Sequence, residues 1–186
     1  DILDQVPTLI RVRDFAKTLS HINWFTRVGE TFEAEDLKNA QDYLDRLGFP
    51  DVAILPVEDW EQAADLAESP DFDTLSWEAE EQLRADLENH VLDQIDVDAL
   101  SVVLTHLSQI VSAETKAATE NVAALWDIED QQLLTAATGM ALQTCHMYAL
   151  GLLSDQDEDF PIYGKFKLYK LGRWPIGITG SSFNLF

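Results

Sequence analysis

The feature that most constrains how this chain can fold is a stretch without any formal charge, LLTAATGMALQTCHMYALGLL, at positions 133–153. A run of about 20 apolar residues is long enough to cross a bilayer, so a membrane helix has to be considered. However, Thr, Gln and His side chains interrupt the run, and acids rather than Lys or Arg flank both of its ends. A helix that is apolar on all sides and does not lie in lipid must be surrounded by protein. We therefore predict a buried central helix in a soluble protein.

Helical periodicity dominates the rest of the first 159 residues. Apolar residues recur at three- and four-residue steps in an N-terminal helix before Gly29 and in a second helix ending at Gly48. An extended segment bounded by prolines, FPDVAILPV, follows, and then a short helix. Three long helices come next, and their short connections predict antiparallel neighbours. The pattern indicates a mainly α, multi-helix up-and-down bundle over residues 1–159.

The C-terminal segment, residues 160–186, breaks this pattern. Phe166 and Leu168 alternate with Lys165 and Lys167, which is the two-residue period of a β-strand, and Gly and Pro residues punctuate the remainder. We predict a small antiparallel β meander. Because two or three short strands are marginal alone, we expect the meander to pack on the bundle within a single compact domain.

Charge is segregated along the chain, which has 34 acids, 12 bases and a formal net charge of −22. Between residues 29 and 159 there are 31 acids and four bases, whereas residues 160–186 contain four bases and no acid. Such acidity disfavours binding to nucleic-acid phosphates. The basic tail either pairs with acidic helices of its own chain or forms a binding edge for another chain. The candidate interaction residues of that edge are Lys165, Lys167, Lys170, Arg173 and Trp174.

A polar layer is predicted inside the bundle. Glu114 falls on the apolar stripe of the second long helix, and reflection through the connecting turns places it near Gln143 and His146, with His90 or His106 nearby. A carboxylate in an apolar face must be neutralised, paired or used. The layer is either a ligand or metal site, an acid–base pair, or a hydrogen-bonded structural glutamate that sets helix register. Since the chain has no Glu-x-x-His motif, we assign no metal ligands.

No catalytic motif was found. Cys145 adjoins His146, but successive helix residues point about 100° apart, so adjacency does not make a dyad. The acidic DQDED segment at 155–159 resembles the start of a calcium loop, yet Phe160 replaces the required Gly and Phe166 the closing Glu. The string GRWPIG at 172–177 is distinctive but suggests no chemistry.

The sequence therefore favours a non-enzymatic, cytoplasmic, acidic interaction or regulatory protein that binds a basic protein partner. The alternative is a small-ligand- or metal-binding helical bundle with a buried Glu/His layer. No cofactor, nucleic-acid partner or membrane partner is predicted, and the oligomeric state stays open, a dimer included.

Overall fold

The computed structural model describes residues 6–186, and these residues form seven α-helices and a three-stranded sheet. The prediction of a mainly helical protein is confirmed. A short 3-10 turn, Leu19–His21, extends the first helix. The elements in chain order are α1 (Thr8–Thr18), α2 (Ala34–Leu47), β1 (Ala53–Pro56), α3 (Trp60–Ala67), α4 (Thr74–Leu92), α5 (Val97–Trp126), α6 (Gln131–Leu153), α7 (Pro161–Lys170), β2 (Pro175–Thr179) and β3 (Ser182–Leu185).

Helix α6 is the uncharged segment, and it lies in the middle of the molecule. It packs against α1, α3, α4, α5 and α7. A stripe of small residues at four-residue spacing, Ala137, Ala141, Cys145 and Ala149, is fully buried and allows neighbouring helices to approach closely. The side chain of Asp130 caps the helix by accepting a hydrogen bond from the Leu133 amide at 3.1 Å. Helix α6 is central, as predicted, but it is not fully buried, because Thr135, Gly139 and Gln143 form an exposed stripe.

In the described chain, 6–186, no helix has both the length and the mean hydropathy that a membrane crossing requires.

The three long helices are only partly arranged as an up-and-down bundle. Helices α5 and α6 pack as an antiparallel hairpin, and α4 also packs against α6. Contacts between α4 and α5 are sparse, so the prediction that consecutive long helices are neighbours is wrong for this pair. The reason is that α6 presents apolar residues to several neighbours, whereas α4 buries little more than Leu87 and Val91 and directs this narrow face at α6.

The C-terminal segment begins with a helix and not with the predicted strand. Pro161 occupies the first turn of α7, where its missing N–H costs nothing. The apolar residues that alternate with lysines also satisfy a helical period, because Ile162, Phe166 and Tyr169 are spaced by four and three residues and are all buried. Helix α7 packs against α2 and α6.

The sheet is mixed rather than an antiparallel meander. Strands β2 and β3 form an antiparallel hairpin that turns at Gly180, but β1 pairs with β3 in parallel, with Ala53 opposite Ser182. The proline-bounded segment and the C-terminal strand were both predicted as extended, but their parallel pairing was not predicted. The division into a bundle (1–159) and an appended segment (160–186) stays a prediction, although β3 and α7 both pack on elements of the first part.

Candidate functional site

The residues of the predicted polar layer do not come together. His146 on α6 is half-buried, and its Nε2 lies 2.6 Å from Ser108 Oγ on α5. The Ser108 hydroxyl also lies 2.8 Å from the Leu104 carbonyl oxygen, so His146, Ser108 and Leu104 form one hydrogen-bonded group. Burial lowers the pKa of His146 below its ordinary value, against an opposing effect of the Leu104 carbonyl. The histidine therefore links α5 to α6.

The other predicted members lie elsewhere. Glu114 is half-buried on α5 and makes no side-chain hydrogen bond with residues 6–186. Gln143 is exposed beside α4 and β2, His90 is exposed and bonded to Gln94, and His106 is exposed on α5. In the part of the chain that the structure describes, no three His, Cys, Asp or Glu side chains are grouped so as to hold a metal ion. A ligand role for these residues stays a prediction.

The basic tail is joined to the rest of the chain by a buried ionic network around Asp36. Asp36 and Arg173 are both 0% exposed, and Arg173 Nη2 lies 3.0 Å from Asp36 Oδ2. Arg27, from the loop after α1, donates to the same carboxylate at 3.1 Å. Arg173 also donates to the backbone carbonyls of Arg27, Glu30 and Thr31 at 2.7–3.0 Å. These bonds tie the segment after α7 to the α1–α2 loop.

The charge state of Asp36 follows from this network. Burial by itself raises the pKa of a carboxyl group, but the Glu33 amide donates to Asp36 at 2.8 Å and both guanidinium groups donate as well. The net effect holds the pKa of Asp36 below its ordinary value. Asp36 is therefore the counter-ion that lets Arg173 be buried.

These contacts leave fewer of the predicted interaction residues of the tail available to another chain. Arg173 and Trp174 are fully buried, so neither is available at the surface. Lys165 forms an ion pair of 2.9 Å with Glu80, which also accepts from the Tyr43 hydroxyl. Lys167 and Lys170 remain exposed on α7. The pairing inside the chain supports the intramolecular interpretation of the basic tail.

The Tyr43–Glu80–Lys165 group borders a small cavity of about 270 Å³ between α4, α6 and the sheet. Burial, together with the nearby Glu80 carboxylate, raises the pKa of Tyr43 well above its ordinary value. The carboxylate and the ammonium group neutralise each other, and the phenol stays protonated. The three polar groups are thus satisfied within the chain.

A larger cavity, which we call the α1–α5 groove, lies between helices α1 and α5 and has a volume of about 600 Å³. Its lining is aliphatic except for three residues. Val102 in this lining is 69% exposed. The residues that line it are Leu9, Val12, Arg13, Ala16 and Lys17 on α1, and Ala99, Val102, Val103, His106, Leu107 and Ile110 on α5.

The packing of both helices on α6 explains why the groove exists. Arg11 of α1 pairs with Asp155 just beyond the end of α6, and Phe15 stacks on Tyr148 with ring centroids 4.1 Å apart. Helix α1 is therefore antiparallel to α6, as is α5. The two helices run parallel to each other over α6, and the apolar sides that face across the space between them are left partly uncovered.

Sequence reasoning identified the α1 stripe and His106 but missed the groove. The available signal was Val102, an exposed apolar residue beside the core stripe of α5, which widens the apolar arc beyond what packing on α6 requires.

Comparison with known proteins finds no matching family model, no matching curated protein and no matching solved structure.

Proposed function

We propose that the protein is a non-enzymatic binding protein that holds an apolar ligand in the α1–α5 groove. The observation that carries this proposal is an aliphatic cavity of about 600 Å³, open to solvent, whose walls come from two helices. Ligand sites in proteins have volumes of about 300–1,000 Å³ and are mostly apolar, with few polar groups that orient the ligand. Apolar side chains that form a contiguous exposed patch mark a binding surface more often than apolar side chains scattered singly over the surface.

The test uses Val102→Asp, which places a carboxylate in the groove wall. Val97→Asp is a matched control, because Val97 lies on the same helix, is 66% exposed and does not line the groove. We expect the unchanged protein and Val97→Asp to bind the uncharged dye Nile red alike. Val102→Asp should bind it at least about tenfold more weakly, because an apolar ligand in the groove would strip water from the new carboxylate, which costs more than the about 1.4 kcal/mol that this factor represents. Equal dye binding by all three proteins would overturn the proposal.

A second candidate function is the binding of a basic partner by an acidic surface. Residues 47–83 contain eleven acids and neither Lys nor Arg. On α3 and at its end, Glu61, Asp65 and Glu68 are exposed, and none of them forms an ion pair with any residue from 6 to 186. Unpaired charge of one sign steers an oppositely charged partner and raises its association rate.

A further inference from the structure

The α1–α5 groove has a polar section at Lys17 and His106 and an aliphatic section that includes Leu9 and Ala99. Arg11 and Phe15 of α1 contact Asp155 and Tyr148, and Ser108 of α5 contacts His146. Since α1 and α5 run parallel, these pairs place His106 at about the level of Ala16 and Lys17. The same relation places Ala99 at about the level of Leu9.

The polar groups of the lining therefore lie to one side of the aliphatic stretch at Leu9 and Ala99, with Leu107 and Ile110 beyond them on α5. Lys17 and His106 lie there on opposite walls, and Arg13 is one helical turn away from Lys17. Arg13 has a long contact of 3.4 Å to its neighbour Asp14, whereas Lys17 forms no ion pair within residues 6–186. From Val12 to Leu9 on α1, and from Val103 to Ala99 on α5, the walls are aliphatic.

We infer that the ligand of the groove is a free fatty acid, with its carboxylate between Lys17 and His106 and its aliphatic chain extending toward Leu9 and Ala99. This inference rests on the proposed function of the groove and adds the chemical class of the ligand. An ammonium group and an imidazole N–H donate to a carboxylate, and the aliphatic walls bury the chain. From His106 to Ala99 the α5 wall of the groove spans seven residues, or about 10 Å at 1.5 Å per residue, so it accepts an extended chain of medium length.

The charge of the whole protein selects among occupants. At a net charge of −22, a second copy or an acidic helix brings many like charges to the groove, whereas a fatty acid brings one. At physiological salt, charges beyond about 8 Å are largely screened, so the carboxylate of a bound ligand responds mainly to the nearby ammonium group of Lys17. A ligand with one anionic head and an apolar body carries little charge against the acidic protein, and its single head can be placed beside Lys17.

The headgroup is tested with three probes of equal chain length, dodecanoate, dodecanol and dodecylammonium, each kept monomeric and measured by displacement of Nile red. We expect dodecanoate to bind most tightly and dodecylammonium most weakly. Among octanoate, decanoate and dodecanoate, each added CH₂ should tighten binding by about fourfold until the groove is filled.

The position of the head is tested with Lys17→Gln, and Lys167→Gln serves as its control because Lys167 is exposed on α7 outside the groove. Lys17→Gln should weaken dodecanoate binding by about three- to tenfold and leave dodecanol binding unchanged. Lys17→Glu should reverse the preference toward dodecylammonium. Lys167→Gln should change neither.

The outcomes separate the two proposals. If the three probes bind equally and Val102→Asp abolishes them all, the groove binds apolar ligands but the fatty-acid inference is wrong. If none binds, the proposed function itself fails.

Three results assign the groove to another occupant and overturn the inference. The first is binding of dodecanoate only after residues 1–5 are removed. The second is a dimer, seen by sedimentation, that Val102→Asp dissociates and Val97→Asp does not. The third is binding to phosphatidylserine vesicles without binding to monomeric dodecanoate.

Discussion

At the scale of single residues, the network around Asp36 explains the string GRWPIG, to which no chemistry could be assigned from the sequence. Gly172 has a φ of +83°, and a Cβ there would lie 2.6 Å from Thr26 Oγ1. A glycine at this position lets the chain turn against the α1–α2 loop and deliver Arg173 to Asp36. Residues so far apart in the chain carry no local signal of being partners. The Asp36 network therefore could not be predicted from the sequence. Pairing of the basic tail with acids of its own chain was, however, one of the two alternatives that the sequence left open.

Removing the charge of Asp36 should be costly. Asp36→Asn leaves Arg173 buried beside a neutral amide, and we expect the free energy of unfolding to fall by about 3–5 kcal/mol, the usual cost of breaking a buried ion pair. Asp42→Asn is the control, because Asp42 lies on the same helix and pairs with the exposed Lys38 at 3.0 Å. Its loss should cost about 0–1 kcal/mol. Urea unfolding measures both, and equal losses would contradict a special role for Asp36.

The same variant tests the pH dependence. The pKa of Asp36 is lower in the folded protein than its unfolded value of about 3.9, so the unfolded state binds the proton more readily. The carboxylate therefore contributes stability above pH ~3.9, and this contribution is lost as the pH falls through the folded pKa. Between pH 5 and the acid range, stability should fall more steeply in the unchanged protein than in Asp36→Asn. Parallel curves would show that Asp36 has an ordinary pKa.

At the scale of elements, the sequence predicted what depends on local pattern. Helix α6 was predicted because a segment without charge has to be buried, and α1 and α2 because their apolar stripes are clear. Helix α7 was missed because KFKLYK satisfies both a two-residue and a helical period, and the choice is made by packing of Phe166 and Tyr169 against Trp24. The parallel pairing of β1 with β3 joins distant segments and leaves no local trace. The α1–α5 groove was missed for a related reason, since it depends on how two helices lie across a third.

Helix α6 offers two glycines that test how tightly this element is enclosed. A Cβ at Gly151 would lie 2.5 Å from Cε1 of the buried Phe160 ring, whereas a Cβ at Gly139 would meet no atom within 4 Å. We expect Gly151→Ala to lower the free energy of unfolding by about 1–3 kcal/mol through overpacking. Gly139→Ala should raise it by about 0.5–1 kcal/mol, because alanine is the better helix former.

Thermal and urea unfolding of the two alanine variants provide the comparison. Adding Phe160→Leu to Gly151→Ala should recover part of the loss, since a smaller side chain makes room for the methyl group. Stabilisation by both alanines would mean that the Gly151 side of α6 is not closely packed against Phe160.

At the scale of the whole molecule, the bases are used in two distinct ways. Arg11, Arg27, Lys165 and Arg173 form ion pairs with acids that hold separate segments together. Lys17, by contrast, lies at the groove, and Lys167 and Lys170 are exposed on α7. The acids greatly outnumber their partners, so the surface around α3 remains strongly negative. This asymmetry is what supports a basic partner as the second candidate function.

That candidate is tested with two variants that have the same net charge but lose their negative charges at different places. The variant Glu61→Gln/Asp65→Asn/Glu68→Gln neutralises the α3 surface, and Asp93→Asn/Asp98→Asn/Glu129→Gln neutralises three exposed acids outside residues 47–83. With an alternating Lys-Ala peptide as the probe, we expect titration calorimetry to show weaker binding for the α3 variant than for its control. The difference should disappear between about 0.1 M and about 1 M salt, as the Debye length falls from about 10 Å to about 3 Å. Equal weakening in both variants would show that the peptide responds to net charge alone, because a docking surface on α3 requires the position of the charges to matter.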